Sequence, residues 1–278
     1  MIKHILVPSD GSPHGEVALK YATNLARSFS AEIEVLNVTD IRALQGPFLR
    51  DLSGALGFIS GQDYEPKIEA ILRERGAAIL RGAEEKCSSE GVSCRGISRM
   101  GVVDAIVVEE GKKADLIVMG QRGENAEWGT GLLGSTTEAV VRKSNKPVLV
   151  VPSEYREITK PLMAYDGSLE SNKALKVAVE LAEQLGLPLS ILTVTEDEEK
   201  GLHILNEAAE FLSGHAIKWS TRQMTGSEEE VILQEAGDGG FDLIIMGAYG
   251  HGRIREMILG STTAYVMRRS EVPLLLTR

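Results

Sequence analysis

Two tandem α/β domains are predicted, each a doubly wound five-stranded parallel sheet, joined as an internal pseudo-dimer. Three observations carry this expectation. Short apolar runs alternate with stretches of helical spacing, the pattern of a parallel sheet covered on both faces. The second half of the chain repeats the first. In each half a fourth apolar run ends in a glycine-rich loop that leads into a helix start.

The repeat is visible residue by residue. Asp10-Gly11-Ser12 recurs as Asp166-Gly167-Ser168, and Ala18-Leu19-Lys20 recurs as Ala174-Leu175-Lys176. The run from Asp115 to Gly120 answers that from Asp242 to Gly247, Leu133–Thr137 answers Leu259–Thr263, and Lys146–Leu149 answers Val272–Leu275. So long a period marks two copies of a whole domain, not a solenoid. The copies are expected at 1–152 and 160–278, with a polar, proline-started linker near Pro152–Lys160.

Copy one opens with a strand over Ile2–Pro8. A helix over 13–29 follows, started by Ser12 as cap and Pro13 as first helical residue. A strand over 31–38, a helix over 65–89, a strand over 92–98 and a helix over 102–112 come next. A buried strand at 116–119, the glycine loop, a helix over 135–143 and a strand over 148–151 complete the unit. Copy two is expected to run strand 161–165, helix 169–185, strand 188–194, helix 199–213 and strand 216–223, then helix 227–237, strand 241–246, helix 261–270 and strand 273–277. The strands that end each copy are expected at sheet edges, pairing with one another. An apolar, glycine-punctuated insertion at about 40–64 separates copy one from copy two. Such a stretch suits packing against the other copy or a second chain better than it suits a lid.

Composition bounds the function. The 278 residues are 43% hydrophobic and 25% charged, normal for a globular protein, and the net charge is −10. That balance argues against nucleic acid or an anionic membrane as partner. No run reaches the ~18 apolar residues of a membrane-spanning helix, and the apolar start is too short for a secretory signal. Cys87 and Cys94 make neither a disulfide framework nor a metal site, so a cytoplasmic setting is expected.

A strand, a glycine-rich loop and a helix start form an arrangement that binds phosphate, because glycine admits close approach and the helix dipole favours an anion. In copy two that stretch runs from Gly247 through Gly250, His251 and Arg253 to Gly260-Ser261-Thr262, with a hydroxyl residue expected to cap the helix. In a doubly wound sheet the ligand lies beyond the carboxyl ends of the strands, where strand order reverses. Asp10 and Asp166, each ending a first strand, would then face the same crevice as the loops. The bland alternative is that Asp-Gly-Ser only turns the chain and caps a helix.

On these motifs the chain resembles the universal stress protein family in its tandem form, over nearly its full length. Gly247-x-x-Gly250, nine residues, then Gly260-Ser261 matches the loop of the family's ATP-binding members. The resemblance implies an adenine nucleotide alpha hydrolase-like fold, ATP as ligand with any Mg2+ held through phosphates, and a regulatory role in stress. It also implies adenosine contacts from Asp166 and near Val194, with Thr262 a further contact. A homodimer is a further expectation.

Copy one departs from the pattern. Asp10, Asn37, Val38, Gly120, Gly123, Gly134, Ser135 and Thr136 match, but ten residues separate Gly123 from Gly134, and the loop carries Glu124 and Glu127. A carboxylate ~4–6 Å from a polyphosphate costs about 1–3 kcal/mol in a partly shielded site. Arg122 offsets part of this. Copy two is therefore expected to bind better. Trp128 is placed either to plug the first loop or to cover a base. The competing readings are a nucleotide-free interaction scaffold and a slow ATPase. No Walker lysine or obvious metal-binding carboxylate pair supports the latter.

Overall fold

The structure, a computed structural model, describes residues 2–42, 64–123, 133–248 and 259–278. The expected elements of both copies are present. Copy one runs β1 (His4–Pro8), α1 (Pro13–Phe29), β2 (Glu32–Asp40), α2 (Tyr64–Ser89), β3 (Cys94–Gly101), α3 (Val103–Gly111), β4 (Leu116–Gly120), α4 (Ser135–Lys143) and β5 (Val148–Val151). Copy two runs β6 (Pro161–Ala164), α5 (Leu169–Leu185), β7 (Leu189–Val194), α6 (Glu198–Ser213), β8 (Trp219–Met224), α7 (Glu228–Asp238), β9 (Leu243–Gly247), α8 (Ser261–Arg269) and β10 (Leu274–Thr277).

All ten strands form one sheet in the order β3-β2-β1-β4-β5-β10-β9-β6-β7-β8. Pairing within each copy is parallel. Among the described residues the strands of the two copies join at one antiparallel pair, β5 against β10, with Leu149 opposite Leu275. The terminal strands thus lie at the centre of the sheet, each closing the edge of the other's copy. The outer edges are β3 and β8. Their arginines are neutralised by inner acids, Arg95 by Glu34, Arg99 by Glu110 and Arg222 by Glu235. Charge on an edge strand discourages further pairing.

Alternation along each strand divides the core in two. Ile5, Val7, Ile33 and Val35 face a cluster closed by α1, α2, α5 and α6. Leu6, Leu36, Ile117 and Met119 face the opposite cluster, closed by α3, α4, α7 and α8. Both clusters run through both copies. α1 and α5 start on true caps: Ser12 Oγ accepts from Gly15 N–H at 3.2 Å, and Ser168 Oγ from Ser171 N–H at 3.1 Å. Among the described residues no helix is long and apolar enough to cross a membrane.

Two expectations need correction. β3 begins and ends later than 92–98, because its register with β2 carries pairing on to Asp40 opposite Gly101. β8 likewise runs 219–224 and not 216–223, held in register by β7. The polar linker packs on copy one: the Tyr155 and Tyr21 rings meet at 4.7 Å, Asn24 Nδ2 donates to Tyr155 Oη at 3.0 Å, and Arg156 N–H donates to Tyr21 Oη at 2.8 Å. Most of the 40–64 insertion lies outside the described residues.

Candidate functional site

β1 lies between β2 and β4, and β6 lies between β7 and β9. From β1 the chain crosses to α1 on one face, and from β4 it crosses to α4 on the other. A crevice must therefore open between the carboxyl ends of these strands. Asp10 and Asp166 stand at its floor. Ser12 N–H donates to Asp10 Oδ1 at 3.0 Å, and Ser168 N–H to Asp166 Oδ1 at 3.0 Å. The following glycines take φ of +79° and +75°, a left-handed turn that glycine adopts without strain. The turn-making role is therefore real. In copy one it occupies only one side of the carboxylate, because Asp10 Oδ2 lies against Gly123: a Cβ added there would sit 2.7 Å from that oxygen. In copy one, aspartate and loop glycine thus lie side by side.

The base of each loop is pinned by the same bonds. Gln121 N–H donates to Val151 O at 2.7 Å and Gly134 N–H to Gln121 O at 3.0 Å; Ala248 N–H donates to Thr277 O at 2.7 Å and Gly260 N–H to Ala248 O at 3.3 Å. Thr137 Oγ1 donates to Gly120 O at 2.8 Å, and Thr263 Oγ1 to Gly247 O at 3.2 Å. The two threonines were not among the expected site residues. Their signal was the second threonine in the repeated Gly-Ser-Thr-Thr. A second latch involves Asn37, named in the sequence only as a family-like residue, and Thr193, which was not named: Asn37 Nδ2 donates to Ser9 O at 2.9 Å, and Thr193 Oγ1 to Tyr165 O at 2.8 Å. Each fixes the carbonyl immediately before the site aspartate.

The hydroxyl cap expected in copy two is not formed, and copy one has none either. Gly134 and Gly260 are the cap residues of α4 and α8, so Ser135 and Ser261 are already the first helical residues. A glycine cap brings no side chain to the orphan N–H groups of the first turn. Positive dipole ends thus face the crevices without a built-in acceptor from the cap. Gly120 and Gly247 are required for another reason as well. A Cβ on Gly120 would lie 2.6 Å from His14 Cβ, and one on Gly247 would lie 3.0 Å from the Glu170 backbone. These first loop glycines let the strand end pack on the first turn of α1 and α5.

The two crevices differ in their walls. Val194 ends β7 opposite Met224, whereas Val38, opposite Arg99, is followed by two further paired residues of β2. Both valines are partly buried on the α3, α4, α7 and α8 side. His14 lines copy one where copy two has Glu170. Burial pushes the His14 imidazole below its ordinary value, the Arg122 charge adds to this, and Asp10 opposes it. Thr262 Oγ1 donates to Glu228 Oε2 at 3.3 Å, which turns that hydroxyl toward α7. Thr136 begins α4 beside Ser135. Gly250, His251 and Arg253, like Glu124, Glu127 and Trp128, lie outside the described residues.

The remaining candidates have structural roles. Cys87 is buried in the core beside Thr23, Cys94 is half-buried, and both are free thiols. Asp197 caps α6 by accepting from Lys200 N–H at 3.0 Å, and Glu198 and Glu199 fill its first turn. His203 and His215 pair with Glu207 and Glu183.

Comparison with known proteins agrees with this architecture. The model of the universal stress protein family matches residues 1–152 and 158–278. A universal stress protein of Synechocystis sp. is 33% identical over 287 residues, covering 100% of both chains. One from Methanocaldococcus jannaschii is 34% identical over 163 residues, covering 56% of this chain and 86% of the relative. The crystal structure of a universal stress protein from Archaeoglobus fulgidus superposes with a TM-score of 0.78 at 24% identity, covering 99% of this chain and 96% of that one, which speaks to the fold. Two family matches placed end to end, over two copies of one strand order, make this chain a tandem member of the universal stress protein family.

Proposed function

We propose that the chain is an ATP-binding regulatory module of the stress response, with nucleotide held at the carboxyl ends of the strands. The observation that carries this reading is the pairing of a glycine-capped helix start with an aspartate at the end of the neighbouring strand. Helix N–H groups without a cap side chain suit phosphate oxygens, and a carboxylate beside them suits ribose hydroxyls or an adenine edge. In copy two the holding residues would be Asp166, the backbone near Val194, Gly250, Gly260 and Ser261, with His251 and Arg253 as basic flanks. Mg2+ would be carried on phosphate and water.

Copy two is the stronger site in this reading, because its loop keeps the family spacing and its flanks are basic. Arg122 beside the Gly120–Gly123 turn offsets part of the acidity of the first loop, while Glu170 and Glu228 add acidity around the second. The difference in affinity is therefore about one decade. The protein works by changing partners or assembly with nucleotide state, and turnover is not required. A homodimer would use surfaces other than β5 and β10, which already pair within the chain.

Calorimetric titration of ATP into nucleotide-stripped full-length protein tests the reading. Saturable binding with at least one site per chain is expected. Absence of binding up to millimolar ATP would leave the scaffold reading in its place. Single-turnover hydrolysis, compared with Ser261→Ala, separates binding from slow ATPase activity.

A further inference from the structure

The bonds that pin the first loop do not stop within copy one. Gln121 follows Gly120 directly, and its side chain crosses the seam: Nε2 donates to the Met267 carbonyl of α8 at 2.5 Å. That carbonyl lies in the last turn of α8, where C=O groups have no partner within the helix. Gln121 therefore joins three parts at once. Its N–H holds the end of β5, its C=O holds the cap of α4, and its side chain caps the far end of α8. The nine residues of α8 span about 13 Å, and their other end is Gly260-Ser261 at the base of the second loop.

Copy two has no matching reach at the equivalent position. Ala248 makes the same two backbone bonds as Gln121, but its methyl group has no donor to send across the seam. The last turn of α4 is instead met by Arg278 Nη1, which donates to the Arg142 carbonyl at 3.3 Å, and Arg268 faces Glu138 at 3.7 Å. α4 and α8 thus lie against one another across the seam. Only in copy one does the residue beginning the loop itself take part.

We propose that Gln121 is a positioning residue that couples the two loops through α8, so that nucleotide at the second loop strengthens nucleotide binding at the first. This rests on both crevices binding nucleotide, as proposed above. A phosphate at the start of α8 orders that helix. An ordered last turn holds the Gln121 side chain, and Gln121 holds the base of the first loop. A ligand that finds the loop base already ordered loses less entropy on binding. Coupling of this kind is reciprocal, so the first loop strengthens the second by the same factor even though the physical link is asymmetric.

Photolabelling of the full-length chain with 8-azido-ATP tests this, with peptides from the two copies quantified separately across a concentration series. Ser261→Leu puts a bulky apolar side chain at the start of α8 without supplying an anion of its own, and is expected to abolish labelling of copy two. Thr262→Leu is a second block should the first variant fail to fold. With Gln121 present, either block is expected to raise the midpoint of copy-one labelling about five-fold, the lower end of typical couplings between sites. In Gln121→Ala the same block is expected to move it less than two-fold, and Gln121→Lys, which keeps a donor, is expected to restore the shift. An equal shift in Gln121→Ala, or no shift in the parent, would overturn the coupling while leaving nucleotide binding intact. Labelling of only one copy in the parent also overturns it. Labelling of neither copy overturns the functional reading with it.

Discussion

At the scale of single residues, close approach explains more than composition does. Gly76 and Gly82 both lie in α2 and both lower helix propensity. A Cβ at Gly82 would meet nothing within 4 Å, whereas one at Gly76 would lie 2.3 Å from Asn37 Oδ1, the side chain that holds the Ser9 carbonyl before Asp10. Gly82→Ala is expected to stabilise the protein by about 0.5–1 kcal/mol. Gly76→Ala is expected to destabilise it, because Asn37 must give up its place. Urea unfolding of the two variants beside the parent checks this. Equal shifts of the same sign would contradict the packing around Asn37. Asn37 stood out in the sequence only as a family-like residue beside Val38, and Gly76 not at all, since their meaning depends on a contact between a helix and a strand far apart in the chain.

At the scale of elements, carboxylates staple the sheet away from the crevices. Asp115, ahead of β4, accepts from the N–H groups of Lys3 at 2.8 Å and His4 at 3.0 Å. Asp242 does the same for Thr159 and Lys160, at 2.8 Å each. Burial pushes the Asp115 carboxyl up, but these N–H donors, with the Lys146 and His4 charges, outweigh it and hold it below its ordinary value. Lys113, with Arg99, holds Glu110 low against the opposing effect of burial; the Arg42 hydrogen bond lowers Asp40 and the Lys143 one lowers Asp104. A carboxyl that is more acidic folded than unfolded leaves the unfolded chain binding more protons as pH falls. The stabilisation is therefore complete above about pH 5 and lost as pH falls below roughly 4, toward the depressed native values. Urea unfolding from pH 7 to pH 3 is expected to show that loss, and Glu110→Gln to lower stability at pH 7 while flattening the acid limb. A limb of unchanged steepness in Glu110→Gln would contradict a stabilising role for the Glu110 cluster. The repeated Asp-Leu-Ile pattern marked these strands in the sequence, but it gave no sign that its aspartates bind the start of the neighbouring strand in the sheet.

At the scale of the whole molecule, repetition made the fold legible. Matched motifs in matched order predicted ten strands, eight helices, and the meeting of β5 with β10. Element ends shifted by a few residues where pairing with a neighbouring strand extended or delayed a strand, which local pattern does not encode. The candidate site was marked in the sequence by its aspartates and first loop glycines. It was less legible in its threonine latches, in the exchange of His14 for Glu170, and in Gln121, whose partner lies 146 positions away. The helix starts at Ser135 and Ser261 were legible, but a hydroxyl residue was expected to cap the second helix, and glycine stands at both caps. That difference strengthens the phosphate reading, since the cap has no side chain of its own to offer the first turn.

The central claim is that nucleotide binds at these crevices and binds more tightly in the second copy. ATP titration of Gly250→Ala/Ser261→Ala beside Gly123→Ala/Ser135→Ala, both in the full chain, tests it most directly. The second-loop pair is expected to lower overall affinity at least ten-fold and the first-loop pair by clearly less. Equal losses would contradict the asymmetry, and no loss in either would contradict the site.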